Sequence, residues 1–413
     1  MKKHETTFMY IGFAAIGLLL VGLAGWYFFI SRQTADLETL RESRGFDIGV
    51  PSFGGTRGST AENIEGGFGL APSSEQPSAQ EGEEPRAPRF WRVSTSPIAG
   101  AGFVMIDSVP VLRYVERSTG HVFDVNPMTG TITRRTNRLI PKVYEAIVGP
   151  HDAVIHRTIT ADGERETFVG QLATTTVDGF TPLTGTDLGP DVRDIGFTKS
   201  GIVFLSATES GATQLIEAAI DGSKPVEKRL LSAGDFKLES LVDGRTILTE
   251  RPASGIPGYA YEAGTTLIPL ARAVPGLTLA ARASSTAVII GADDGSKLSL
   301  AVRPTRDASL VPLDLATVAD KCVWMPGTSL TAYCAVPRTL QPLGYLTNWH
   351  RGTIHTSDSW HLVDVGAGKT EKFFEIREDD AIDVERPITD EGGNYIAFIN
   401  ARDKSLWLLR IIE

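Results

Sequence analysis

Three hydropathy regimes follow one another along the chain. Residues 8–30, FMYIGFAAIGLLLVGLAGWYFFI, run twenty-three positions without a charge. Residues 31–88 carry no apolar period: beyond Gly45 the tract GVPSFGGTRGSTAENIEGGFGLAPSSEQPSAQEGEEPRAP is dominated by Gly, Ser, Pro and Glu. From Phe90 to the end, apolar or β-branched runs recur, among them FVMI, VLRYVE, AVIHRTI, GIVFLSA, TAVIIGA, YIAFIN and SLWLLRII. Turn dipeptides separate them: Asp162-Gly163, Asp221-Gly222, Asp243-Gly244, Asp294-Gly295 and Gly392-Gly393. Short runs punctuated in this way predict β-hairpins. No helical period of useful length stands outside the first regime, so the fold class expected after it is all-β.

The first regime is long enough to cross a bilayer. At about 1.5 Å per residue it spans roughly 34 Å, against a hydrocarbon core of about 30 Å. Trp26, Tyr27, Phe28 and Phe29 crowd one end, where amphipathic rings favour the headgroup level. A cleaved signal peptide has a shorter apolar core and a small-x-small exit, whereas this core runs into aromatics. Lys2 and Lys3 precede it, which favours the N-terminus inside the cell. The expectation is a cytoplasmic tip at 1–7, a single-pass transmembrane helix at 8–30 and an extracytoplasmic remainder. Residues 31–88 cannot bury enough apolar surface to offset their ordering entropy, and read as a flexible linker. About 45 such residues have a mean reach on the order of 35–40 Å.

Beyond the linker, the runs group into units. Each opens with a strand, turns, continues with a very apolar strand, turns again and ends in weaker strands. The unit is visible in IGFTKSGIVFLSATESGATQLIEAAIDG (195–222), LAARASSTAVIIGADDGSKLSLAVRP (279–304) and RPITDEGGNYIAFINARDKSLWLLRI (386–411), with looser copies at 105–130 and 146–172. The apolar second strands recur at about 40–50 residues, the period of a β-propeller blade. Seven copies are counted over 89–413, with an insertion at 338–358 in the sixth. Six or eight blades stay open, because 90–104 could complete the last blade or stand apart. Two β-sandwiches are the competing fold, but they do not explain a constant hairpin-hairpin unit. Cys322 and Cys334 flank VWMPGTSLTAY; folded as a hairpin about Pro326-Gly327, that stretch pairs Val323 with Tyr333 and faces the cysteines at disulfide distance. An oxidising compartment permits the bond.

The tract TDEGGNYIAFINARDKSLWLL (389–409) resembles the propeller repeat of the TolB and WD40-like families, in which a polar turn precedes an apolar strand and a hairpin follows. The WD dipeptide is absent. The whole layout, with KCVWMPGTSLTAYCAVP (321–337) and FINARDKSLWLL (398–409), also resembles uncharacterised membrane-anchored propeller proteins of candidate-phyla bacteria. That resemblance implies an extracytoplasmic propeller and carries no activity.

Composition narrows the chemistry. The 413 residues are 42% hydrophobic, and 50 acidic against 40 basic side chains leave a net charge of −10, which argues against nucleic acid. VGAGKT (365–370) lacks the first Gly of a phosphate loop and is followed by a strand pattern, so it reads as a hairpin turn. GxSxG, HExxH and CxxC are absent, so no catalytic residue, cofactor or metal site is expected. Asp293-Asp294 and Asp379-Asp380 read as ordinary solvated turn acids. The insertion is different. Tyr345, Trp349, His350, Arg351, His355, Trp360 and His361 fall within seventeen positions and form a candidate binding loop; the alternative is that its tryptophans pack against their own blade. The expected function is a membrane-tethered interaction or ligand-binding module whose partner is an envelope protein or glycan. The alternative is an envelope hydrolase or lyase with its site in the propeller channel.

Overall fold

The computed structural model describes residues 86–231, 234–377 and 380–412. The expected cytoplasmic tip, transmembrane helix and nearly all of the linker lie outside these residues. Among the described residues no helix is long and apolar enough to cross a membrane.

Seven four-stranded antiparallel sheets make up the domain. A single strand, β1 (Phe90–Ser94), comes first. Blade 1 is β2 (Ile98–Ile106), β3 (Val109–Glu116), β4 (Val122–Val125) and β5 (Ile132–Arg134). Blade 2 is β6 (Val143–Val148), β7 (Ala153–Ile159), β8 (Arg165–Leu172) and β9 (Leu183–Leu188). Blade 3 is β10 (Val192–Phe197), β11 (Gly201–Ala207), β12 (Thr213–Ala219) and β13 (Val226–Leu231). Blade 4 is β14 (Phe236–Ser240), β15 (Thr246–Glu250), β16 (Pro257–Ala263) and β17 (Leu267–Pro275). Blade 5 is β18 (Thr278–Ala281), β19 (Val288–Asp293), β20 (Leu298–Arg303) and β21 (Val311–Leu313). Blade 6 is β22 (Cys322–Trp324), β23 (Thr331–Pro337), β24 (Asp358–Asp364) and β25 (Lys369–Phe374). Blade 7 is β26 (Val384–Thr389), β27 (Tyr395–Asn400) and β28 (Leu406–Arg410), completed on its outer edge by β1.

The second strand of each blade explains why the sheets stand as blades. A strand exposes alternate residues to opposite faces, so one buried on both faces must be apolar throughout. In β11, Ile202 and Phe204 join the core shared with blade 2, whereas Val203 and Leu205 join the core shared with blade 4. In β27, Ile396 and Phe398 face blade 6, while Ala397 and Ile399 face blade 1. Seven such apolar layers exist, one at every junction including that between blades 7 and 1, so the sheets close into a ring. This arrangement excludes stacked sandwiches.

The open question about residues 90–104 is answered by the same junction. Phe90 pairs with Leu409, Trp91 with Leu408 and Arg92 with Trp407, which fixes seven blades with a seam formed by both ends of the domain. Innermost strands approach most closely at the axis. A Cβ on Gly100 of β2 would lie 1.9 Å from the Ala146 carbonyl oxygen of β6, so only glycine permits that approach.

Cys322 and Cys334 face one another in register across β22 and β23, as Val323 does Tyr333, with sulfurs bonded and Cα atoms 4.0 Å apart. Twelve positions separate them, a loop whose closure is worth about 3 kcal/mol in the chain-entropy treatment. The paired Cys322→Ala/Cys334→Ala variant is expected to melt roughly 5–10 °C lower in a calorimetric scan. An unchanged melting temperature would show that the bond contributes nothing.

Candidate functional site

The insertion does not form the expected aromatic surface. Its helix, α1 (Tyr345–His350), starts at Gly344 with φ 67 in the left-handed region, which favours glycine. One turn of helix brings Tyr345, Leu346 and Trp349 to one side, where they pack on Leu298 and Val318 of the blade 5 region. Tyr345 and Trp349 are therefore buried. Trp360 is buried as well, because it lies inside β24 rather than in the loop and packs against Phe398 at 5.5 Å. His361, also in β24, is half-buried with Nε2 3.3 Å from Ser359 Oγ. His350 and Arg351 are exposed, and His355 is partly buried.

The insertion crosses three blades. Gly344 donates its N–H to the Gly295 carbonyl, and Ser254 of blade 4 exchanges hydrogen bonds with Thr347. Asp293, expected as a solvated turn acid, is 2% exposed at the end of β19. It accepts from the Leu346 N–H and the Ser254 hydroxyl, so it is the post on which the helix rests. VGAGKT forms the turn between β24 and β25 and the start of β25.

Beneath the insertion lies a buried ionic hub. Lys321, Asp358 and Asp383 are all fully buried, and the Lys321 ammonium donates to Asp358 at 2.7 Å, Asp383 at 2.6 Å and the Thr356 hydroxyl at 2.7 Å. The Trp349 indole N–H donates to Asp383, and His355 Nδ1 lies 3.1 Å from the same carboxylate. Burial works against the Lys321 charge, but Asp358, Tyr345 and Asp383 together hold its pKa above the ordinary lysine value. Three structural pieces, blade 6, blade 7 and the insertion, are joined here by charge-assisted hydrogen bonds.

The axial lumen is lined by the first strands of the blades, which approach one another around the ring. Successive residues of a strand alternate, so Lys237 and Glu239 of β14 share a face. Lys237 donates to Asp320 at 2.5 Å, and His350 Nε2 lies 3.6 Å from the other Asp320 oxygen. On the neighbouring walls Glu145 of β6 bridges Arg157 and Arg386, both at 2.6 Å, and Asp194 of β10 accepts the Leu238 N–H from blade 4. Arg386 sits in left-handed backbone, φ 51, within a bulge of β26. A bulge re-aims the side chain it carries, and a non-glycine residue in this region bears a strain of order 1 kcal/mol.

The opposing charges tune one another. Asp320 raises the pKa of Lys237, against the effect of burial. The Lys237 and His350 side chains more than offset burial at Asp320, whose carboxyl is held far below the usual range. Burial would raise Glu145, but Arg386 and Arg157 bring it below its ordinary value. Glu239 is the exception: among the described residues it accepts no hydrogen bond and forms no ion pair, and burial pushes its carboxyl up to about 7. It faces a recess of about 10 Å³ bounded by Lys237, Thr249, Pro252, Leu277, Leu279 and Asp320, which is room for one water-sized group.

Glu239 makes stability depend on pH. The unfolded carboxyl titrates at 4.5 and the folded one at about 7, so between those values the folded chain retains a proton that the unfolded chain has released. Stability therefore falls as pH rises through this window, and the whole penalty is present above it. Lumen water screens part of the effect, leaving about 1–3 kcal/mol. Glu239→Gln is expected to raise the melting temperature at about pH 8 by a few degrees and to leave it unchanged at about pH 4. Equal shifts at both values would show that Glu239 does not titrate in this window.

None of these lumen residues stood out in the sequence, because they come one or two per blade at wide separation. The available signal was a charged side chain at an alternate position of a first strand, as in Lys237 and Glu239 within FKLES. Among the described residues no group of three or more His, Cys, Asp or Glu is placed to hold a metal ion.

No family model matches the sequence, and no curated protein matches it. Solved structures do. YCF48 bound to D1 peptide aligns with a TM-score of 0.50 and 10% identity over 80% of this chain and 100% of that one. The Neurospora crassa Pan2 WD40 domain aligns at 0.48 and 11% identity over 80% and 100%. A streptogramin B lyase aligns at 0.48 and 11% over 78% and 97%. At such identities the likeness is one of fold alone: the chain is similar in fold to YCF48, and its own sheet topology makes that fold a seven-bladed β-propeller.

Proposed function

We propose that the protein is a membrane-tethered, extracytoplasmic propeller that binds a protein or other ligand of the cell envelope at the face carrying the insertion. The tether reading rests on the uncharged run 8–30 and the Gly/Ser/Pro-rich tract that follows. The binding reading rests on one observation: that face presents Leu340, Leu343 and Ile256 to solvent, 99%, 74% and 61% exposed, on loops of blades 6 and 4 that meet at the 293–295 turn. Large aliphatic side chains gathered beside a charged opening are characteristic of interaction sites. Val242, 83% exposed, lies in the turn between β14 and β15, at the opposite end of the blade, and provides a control.

The test is capture from envelope membranes with the full chain as bait. A partner held by the wild type and by Val242→Asp, and lost from Leu340→Asp/Leu343→Asp, supports this face. Capture unaffected by the double substitution removes the insertion face from the interaction, and fractionation into the cytosol removes the tether. A second reading, a hydrolase or lyase acting in the channel, is favoured by Glu239, whose carboxyl titrates in the range suited to general acid–base work. Turnover of glycans or peptides that Glu239→Gln abolishes would establish it.

A further inference from the structure

We propose that the recess at Glu239 is a subsite for a primary ammonium group on a slim alkyl stem, supplied by a lysine side chain of the partner. This assignment rests on the binding reading above and names the chemistry of what enters the mouth. The argument begins with charge. Two carboxylates, Glu239 and Asp320, face the recess, and one ammonium, Lys237, serves them. Lys237 donates its hydrogen bond to Asp320 and acts on Glu239 only through space, which leaves Glu239 without a hydrogen-bonded counter-ion. Arg245, the other cation acting on Glu239, is paired with Asp243 at 2.8 Å and Glu262 at 3.5 Å. His350 is directed at Asp320. One further positive charge completes the set.

Size and wall chemistry select the carrier. A recess of about 10 Å³ admits one water-sized head, which an ammonium is and a guanidinium or a sugar ring is not. Pro252, Leu277 and Leu279 supply apolar wall for methylenes, and Thr249 lies among them. Pro252 leads directly into the 254–256 loop, on which Ile256 stands exposed, so a partner seated on the aliphatic rim has the recess within the same footprint. Half-buried Glu239 gains a charge-assisted hydrogen bond on binding, and that gain is available only to a donor that arrives with its own positive charge.

The experiment is titration of the full chain, in detergent, with Nα-acetyl-lysine amide, its Nε-acetyl derivative, Nα-acetyl-arginine amide and putrescine. The lysine amide is expected to bind with a Kd on the order of 1 mM. Glu239→Gln is expected to weaken it by about tenfold or more while keeping a cooperative melt. The Nε-acetyl and arginine compounds are expected to bind at least about tenfold more weakly than the lysine amide. Equal binding of the Nε-acetyl compound, or affinity indifferent to Glu239→Gln, would overturn the subsite. Putrescine binding much more tightly than the lysine amide would move the ligand from a partner's lysine to a free polyamine and overturn the assignment to a protein. Absence of binding by every amine would overturn the subsite alone, because capture that depends on Leu340 and Leu343 would leave the binding reading standing.

Discussion

Lys321→Met is expected to lower the melting temperature by roughly 6–15 °C in a calorimetric scan. The substitution keeps the side chain's length and removes its charge, leaving Asp358 and Asp383 facing each other in a site with no access to water. Breaking a buried pair by removing one partner costs about 3–5 kcal/mol, because the remaining charges lose their compensation. The loss should exceed that from any exposed pair, such as Lys369 with Glu371, where water screens the attraction. Lys321→Met/Asp358→Leu/Asp383→Leu should recover only part of the loss, since the Trp349 indole and the Thr356 hydroxyl then lack their acceptor. A melting temperature within about 2 °C of the wild type for the single substitution would show that the hub is solvated rather than buried.

Deleting residues 86–94 is expected to have the second large effect. It removes β1 from the outer edge of blade 7, and with it Phe90, which stacks on Trp407 at 5.0 Å and approaches Phe374 at 5.2 Å. Phe90 is partly buried against the core between blades 6 and 7, so its loss costs a share of the about 3–5 kcal/mol of a fully buried aromatic, before the ladder hydrogen bonds are counted. The deletion also cuts the link from Ala87 to the Met128 carbonyl of blade 1. It leaves β28 as a bare edge, which invites pairing with another chain. The expected result is a fall in melting temperature of more than about 10 °C, with concentration-dependent association in size-exclusion chromatography. A monomeric chain with an unchanged melt would mean that the ring closes without its seam.

Much of the ring could be read from the chain before any coordinates. Strands such as β11 and β27 lie between two blades and are apolar at nearly every position, and that requirement leaves a continuous hydrophobic run. Tight hairpins demand Gly at positive φ, so Gly163, Gly222 and Gly244 marked their turns. The register of Cys322 with Cys334 followed from the same hairpin geometry. The insertion was less legible. Tyr345 and Trp349 stand four positions apart, a helical spacing that aligns them on one side, but a single turn is too short to give a period. Whether that side faced water depended on Leu298 and Val318, distant in sequence. Lys321 gave no signal for a related reason. A lysine is usually solvated, and its burial depends on Asp358 and Asp383, which arrive from two later segments. The lumen charges were scattered by design of the fold, with Glu145, Asp194, Glu239 and Arg386 converging only after four blades are in place.

The seam has a mechanical consequence. Whatever pulls on residues 1–85 pulls first on Ala87 and β1, the only strand of blade 7 that reaches the sheet from the front of the chain. Tension would therefore load the clasp before any other junction, while the six remaining blades, each continuous in sequence, stay shielded. If the leading segment is fixed in a bilayer, the strand that closes the ring is also the one that takes up the pull.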